Sequence, residues 1–448
     1  MTVSGLDPDF TAWDDEFSPA GGCSHPIRLR GNTSAVDLAT GEKLPVFDTA
    51  NEAFGVVHVP CGSRLAEFCP HCSQVYKRDA WQIITAGLSG GKGVPGSIAE
   101  HPCVFATFTA PSFGPVHSRR EKNGQVRLCR PRRDRDRKAC PHGRVLSCGL
   151  RHSPDDPRIG QPMCPDCYQY EHAVTWNAGA PDLWRRFVTY LPRHLARVAG
   201  IPVKACRELV KPRFFKVAEY QSRGLVHYHA VIRLDANVPG DPDAFEPPAP
   251  GWTAELLTRA VKAAAACSSV RFPIGKTGDS MALTFGQESG YADVRVIRSD
   301  TQHAVSYKAV ANYIAKYVTK SVGIPGVPNF RIRHTAEIDS LRCSAHHKRL
   351  IKVALKLGYG LGAHQFGFHG HVISKSRRYS VTFGYCRKER TEHRKAQRWP
   401  DGELDPWGRP IDERVVLVLK DYKYAGVGYA ASDEHFLALL SADSARKD

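Results

Sequence analysis

Between residues 181 and 234 the hydrophobic period of the chain changes. The segment PDLWRRFVTYLPRHLARVAG, 181–200, sets apolar residues at helical spacing with basic residues between them, which predicts an amphipathic helix. RFFKVAEY, 213–220, and VHYHAVIRL, 226–234, read as strands, and a turn at 222–224 joins them. They predict a hairpin. Beyond a proline-rich loop at 238–252, AELLTRAVKAAAA (254–266) reads as a helix, YADVRVIRS (291–299) as a strand and AVANYIAKYVTKS (309–321) as a second helix. The tail adds an apolar and basic segment, HHKRLIKVALKLG, a strand-like RRYSVTFGY (377–385) and a basic RKERTEHRKAQR. This alternation predicts an α+β domain on an antiparallel sheet.

A chain of 448 residues exceeds one ordinary core, so two or three domains are expected. The expected stretches are 1–175, cysteine-rich and basic; 176–330, the α+β core; and 331–448, a basic C-terminal region that could also belong to that core. Hydrophobic content of 42% fits a globular protein. No run of about 18 apolar residues occurs, and the amino terminus carries acids where a signal peptide would be basic and then apolar. A cytoplasmic protein without a membrane partner is expected. The net charge of +17 favours a polyanionic partner, with nucleic acid ahead of an anionic membrane surface.

Fourteen cysteines in a reducing compartment point to zinc before disulfides. Nine of them fall into two groups, each closed by a Cys-x-x-Cys turn: CPHC at Cys69 and Cys72, and CPDC at Cys164 and Cys167. Two thiolates from such a turn need two more ligands to complete a tetrahedral Zn²⁺ site. Cys23 and Cys61 can complete the first site, Cys140 and Cys148 the second. His25, His71, Cys129 and His142 are alternative ligands. Between the groups, RREKNGQVRLCRPRRDRDRK (119–138) contains only three acids. It suits a solvated loop or a phosphate-contacting arm equally, with Arg130, Arg132 and Arg133 the candidate DNA contacts.

In a strand, His227 and His229 project to one face while Tyr228 points away. A tight hairpin brings Glu219 towards them, with Gln221 a weaker candidate of the same parity. Two imidazoles and a carboxylate can hold Mg²⁺ or Mn²⁺ and leave positions for water and phosphate oxygens. His-x-His is a weak motif on its own. His369 and His371 repeat the spacing around a glycine with no carboxylate on an obvious paired strand.

Support comes from NYIAKYVTKS, 312–321. At about 100° per residue Tyr313 and Tyr317 lie within about 40° of each other, with Lys316 and Lys320 on the same side. Val310, Ile314 and Val318 form the docking stripe. A free phenol is a poor nucleophile because its pKa is near 10. A cation on the phosphate and ammonium groups beside it make attack by a tyrosine oxygen feasible.

The pairing of GLVHYHAVI with YIAKYVTKS resembles the HUH endonucleases, in particular replication initiators of rolling-circle plasmids and phages that carry two tyrosines. CSHPIRLRG, HPCVFATFTAPSFGPVH, LCRPRR, CPDC, VAEYQSRGLVHYHAVIRLD and SRRYSVTFG extend the likeness, over roughly 23–384, to replication initiator proteins of actinobacterial plasmids and integrative elements. The resemblance implies an HUH-type antiparallel sheet with packed helices, preceded by a zinc-binding region. It implies His227, His229 and Glu219 as ligands of the catalytic cation, Tyr313 and Tyr317 as nucleophiles, and Lys316 and Lys320 as supporting cations. Residues 176–330 would then be the nickase core. Origin DNA, single-stranded or extruded, would be the substrate. No phosphate-binding loop is present, GGKGVPGS at 90–97 being only superficially similar, so a host helicase and polymerase are implied. A conjugative relaxase, an HUH transposase and a non-enzymatic zinc-dependent DNA-binding regulator are the alternatives.

Overall fold

The computed structural model describes residues 20–52, 54–132, 139–241, 243–297, 306–319, 324, 326–328, 330–398, 404–409, 415–430, 432, 434–436 and 438. The chain forms two compact units, one from Ile84–Val381 and one from Met1–Ile83 with Thr382–Asp448. These units cut across the three stretches expected from the sequence, because strands far apart in the chain pair with one another.

The larger unit is built on a five-stranded antiparallel sheet. Its parts, in chain order, are β1 (Cys103–Phe108), α1 (Tyr170–Ala199), β2 (Val210–Tyr220), β3 (Val226–Ala236), α2 (Ala254–Cys267), β4 (Asp293–Val296), α3 (Tyr307–Val318), α4 (Ala345–Lys356) and β5 (Ile373–Lys375). The strand order is β4-β1-β3-β2-β5. Alternation sends the two halves of each strand's residues to opposite faces. Tyr228, Ala230, Ile232 and Leu234 of β3 share a core with Trp176, Leu183, Trp184 and Phe187 of α1 and with Leu257 and Val261 of α2. Each such large side chain stabilises the fold by roughly 1.5–3 kcal/mol on burial. The opposite face of β3 carries His227, His229, Val231, Arg233 and Asp235.

The hairpin between β2 and β3 is tied down at its turn. Gly224 takes φ +75°, and a Cβ there would meet Leu350 at 2.5 Å. Asn177 of α1 donates to the carbonyls of Gly224 and Phe366 and accepts from the Val226 amide. From α4, His346 and His347 bond the carbonyls of Arg223 and Ser222 at 3.1 and 2.9 Å. Arg223 donates to the carbonyls of Ala110 and Pro111.

α1 begins eleven residues before the segment whose periodicity announced it and runs through Pro181 and Pro192. The strand expected at 377–385 is not formed: 377–380 is a turn and Phe383–Arg398 is helical. There Tyr379 is fully buried, and its ring occupies space that only Gly87 leaves open, since a Cβ at Gly87 would lie 2.2 Å from it. Packing overrides the alternating pattern.

In the smaller unit, strand Ile27–Asp37 pairs antiparallel with Lys43–Asp48, Val57–Val59 and Val416–Val427. Among the described residues no helix is long and apolar enough to cross a membrane.

Candidate functional site

The antiparallel register places Glu219 opposite His227 and Val217 opposite His229. On the other side Thr107 of β1 lies opposite His229. As a result Nε2 of His227 and Nε2 of His229 sit 2.8 and 2.9 Å from one oxygen, Oε2 of Glu219. Oγ1 of Thr107 lies 3.0 Å from Nδ1 of His229 and fixes the ring from behind. Burial alone would raise the Glu219 carboxyl, but the two imidazoles outweigh it and bring it down to about 2. His229 is pushed down by burial, against Glu219.

Three donors aimed at one another fit a cation. If Nδ1 of His229 donates to Thr107, its Nε2 lone pair faces a carboxylate oxygen, and a positive charge must lie between the two. An imidazolium proton or a divalent ion supplies it, and two nitrogens plus one oxygen suit a small divalent ion.

The tyrosine helix docks beside this cluster. Ser306 caps α3 by accepting from the Ala309 amide, and Val310, Ala311, Ile314, Ala315 and Val318 are buried beneath it. The rings of Tyr313 and Tyr317 lie 4.9 Å apart. Both reach His229: Tyr313 edge-on at 5.2 Å and Tyr317 stacked at 5.7 Å. Phe105 of β1 stacks on the same imidazole at 5.6 Å. Tyr313 remains 41% exposed, enough to be reached by a substrate. Burial, then the neighbouring Tyr317 hydroxyl, raises the Tyr313 phenol above its ordinary range. Lys316 is exposed, and Lys320 lies outside the described residues.

Gln221 is turned away from the cluster, its Oε1 accepting from Arg223 at 2.9 Å. His369 and His371 are exposed and belong to no group of metal donors among the described residues. Thr107 and Phe105 escaped the sequence reading. Their strand lies more than a hundred residues from β3, and nothing local links the two.

The cysteines form a second set of sites. Sγ atoms of Cys23, Cys61, Cys69 and Cys72 all lie within 4.8 Å of one another. Backbone amides of Cys61, Ser63 and Cys72 donate to three of these sulfurs. The Cys23 thiol is drawn down to about 5, chiefly by its hydrogen bond with Cys72. No disulfide forms, and the four sulfurs fit Zn²⁺.

The second set differs from the expected one. Cys140, Cys164 and Cys167 converge with His142, whose Nδ1 lies 3.2 Å from Cys167 Sγ. Cys148 is not among them. It lies with His117, Cys129 and His152 in a separate group. Spacing along the chain paired it with Cys140, but its amide donates to the Arg130 carbonyl and its sulfur lies 3.6 Å from Nε2 of His152. Arg130 and Arg132 are exposed, the former donating to the Val116 carbonyl at 2.9 Å. Arg133 lies outside the described residues.

A carboxylate and two histidines on an antiparallel sheet, faced by two tyrosines on one helix, stand in a chain that matches the family described as replication initiator protein, pSAM2, over residues 9–443. The chain belongs to this replication initiator family. It is 38% identical over 445 residues to a replication initiator protein of Streptomyces ambofaciens, a match that covers 97% of this chain and 90% of that relative. No solved structure matches it.

Proposed function

We propose that the chain is an HUH-type origin nickase and strand transferase acting in rolling-circle replication. The observation that carries the reading is the contact of two phenols with His229, the imidazole that also faces Glu219 beside His227. A Mg²⁺ or Mn²⁺ ion held by Glu219 Oε2 and by Nε2 of His227 and His229 would polarise the scissile phosphate.

The protein's own groups do the rest. One phenol oxygen attacks phosphorus and forms a 5′-phosphotyrosine, while the 3′-oxygen leaves and takes up a proton. The phenol is protonated at neutral pH, all the more at Tyr313, where burial raises it, so its proton passes to water as the oxygen attacks and the leaving 3′-oxygen takes one up from water. Lys316 lies one position before Tyr317, where an ammonium can meet phosphate charge. The phosphodiester energy is kept in the tyrosyl ester, so neither cutting nor rejoining needs ATP. With both rings within 4.9 Å, the second tyrosine can cut a regenerated site while the first still holds a strand.

On this reading the Cys23 and Cys140 groups hold structural Zn²⁺, and the arginines near 119–132 contact origin DNA. Unwinding and synthesis fall to a host helicase and polymerase.

The test is incubation of the purified protein and its Tyr313→Phe, Tyr317→Phe and doubly substituted variants with labelled single-stranded origin DNA, in Mn²⁺ or in chelator. A Mn²⁺-dependent covalent adduct that vanishes in the double variant is expected. Tight binding without adduct would leave a DNA-binding regulator. Cleavage at a transfer origin in place of the replication origin would make it a relaxase.

A further inference from the structure

Between residues 117 and 160 the described chain has no hydrophobic core. Its buried residues there are Cys129, Cys140, His152 and Gly160, and no valine, leucine, isoleucine or phenylalanine joins them. A segment of this size that keeps a fixed shape without apolar burial needs another tie. Cys140 belongs to the cluster closed by His142, Cys164 and Cys167. The other two buried side chains that can ligate belong to a different one.

We infer that His117, Cys129, Cys148 and His152 form a further zinc site, separate from the two Cys-x-x-Cys sites, which staples the arginine-rich arm to the hairpin bearing the histidine pair. One ligand atom from each of the four lies within 4.8 Å of the others. Two nitrogens and two sulfurs are a tetrahedral Zn²⁺ set. Nε2 of His152 lies 3.6 Å from Cys148 Sγ, and its Nδ1 lies 2.7 Å from Asp156 Oδ2. Asp156 is held in turn by Arg158, which meets both of its oxygens at 2.9 and 2.7 Å. This carboxylate fixes the tautomer that leaves Nε2 free to ligate. The Ser118 amide donates to Cys129 Sγ at 3.3 Å, as amides do around a thiolate. Nδ1 of His117 is buried without a hydrogen-bond partner, which an ion would supply.

The four ligands come from two segments that already pair. The Cys129 amide donates to the Leu150 carbonyl and the Cys148 amide to that of Arg130, while His117 exchanges backbone bonds with Gly160 and Gln161. Gly160 packs against the β2–β3 turn so closely that a Cβ would meet the Ser222 carbonyl oxygen at 2.3 Å. Zinc here would hold Arg120, Arg127, Arg130 and Arg151 at a fixed place relative to the turn that leads into His227. Each Zn²⁺ bound would release the two thiol protons.

This inference is independent of nicking, and its test reads metal. Zinc content of the full chain is measured by native mass spectrometry for the wild type, Cys148→Ser, Cys164→Ser and the double variant. Each single change is expected to remove one zinc and the double change two. Unchanged zinc in Cys148→Ser would overturn the site, and a double variant that loses no more than Cys164→Ser alone would overturn it in favour of a single shared one. His152→Cys guards against loss by unfolding, because cysteine still ligates. Loaded with Co²⁺, this variant should keep its metal and gain thiolate-to-metal absorption. An unaltered spectrum would place His152 outside the site. Asp156→Asn should weaken zinc retention about 10–100-fold, and equal retention would remove Asp156 from the assignment.

Discussion

At one end of β3 a single oxygen of Glu219 faces the imidazoles of His227 and His229; at the other, both oxygens of Asp235 are taken by Arg233, at 2.6 and 2.9 Å, with His101 on one of them at 2.9 Å. The two clusters share a strand and a face, and each joins a carboxylate to imidazole. They differ in where the positive charge comes from. Arg233 brings it within the chain, so the Asp235 cluster is complete and fully buried. The Glu219 cluster has no arginine among the described residues and lies beside Tyr313 and Tyr317, so on the proposed reading its charge comes from a bound cation. On that reading a carboxylate–imidazole group is a structural lock when the fold supplies its cation, and a candidate cation site when the fold leaves that charge out.

Removing the lock has the largest expected effect. Asp235→Ala strands a buried guanidinium and should destabilise the larger unit by about 3–5 kcal/mol, read as a lower denaturant midpoint. His229→Ala should lower that midpoint by less than Asp235→Ala does in chelator, since it strands no buried charge, yet slow adduct formation about a hundred- to a thousandfold, read on labelled origin DNA. A comparable loss of stability in both variants would erase the distinction. Next, Mn²⁺ at a hundred times its Kd should add about 2.7 kcal/mol to wild-type stability. Calorimetry should find that gain abolished in Glu219→Gln and kept in Asp235→Asn.

The acid response of the metal-free chain probes the same cluster without metal. Glu219 falls from 4.5 to about 2 in the folded state, so its contacts stabilise the fold above pH 4.5 and lose that contribution as pH falls towards 2. Asp235 is also held down, by Arg233 and His101 against burial, and shows the same sign. In chelator, the stability gap between wild type and Glu219→Gln should therefore close over this range. Equal gaps at pH 5 and pH 2.5 would mean that the imidazoles do not bind the carboxylate.

The open cluster could be read from the sequence because its geometry is local. A glycine turn and strand parity suffice to bring Glu219 to His227 and His229, and helical spacing brings Tyr313 to Tyr317. The locked cluster could not. Arg233 and Asp235 look like a charged strand end, and only the Tyr379 and Gly87 carbonyls, which accept from Arg233, show that the end is covered. The same limit explains Cys148, whose partners His117 and Cys129 lie across a fold that spacing does not describe. RRYSVTFGY failed for a related reason: Tyr379 follows the space beside Gly87, not its own alternation. Pro181 hid the first turns of α1, since proline inside a helix removes one hydrogen bond and reads as a boundary.

The pairing of Ile27–Asp37 with Val416–Val427 sets an order of events on the ribosome. The second of these strands follows the first only after about 380 further residues have been made, roughly 20–80 s later at ordinary elongation rates. The β1–β3 and β2–β3 pairs need no residue beyond Ala236 and can form during that wait. A message cut short before residue 416 would therefore yield the histidine hairpin without a finished smaller unit, and only translation past Val427 closes the sheet around the first strand.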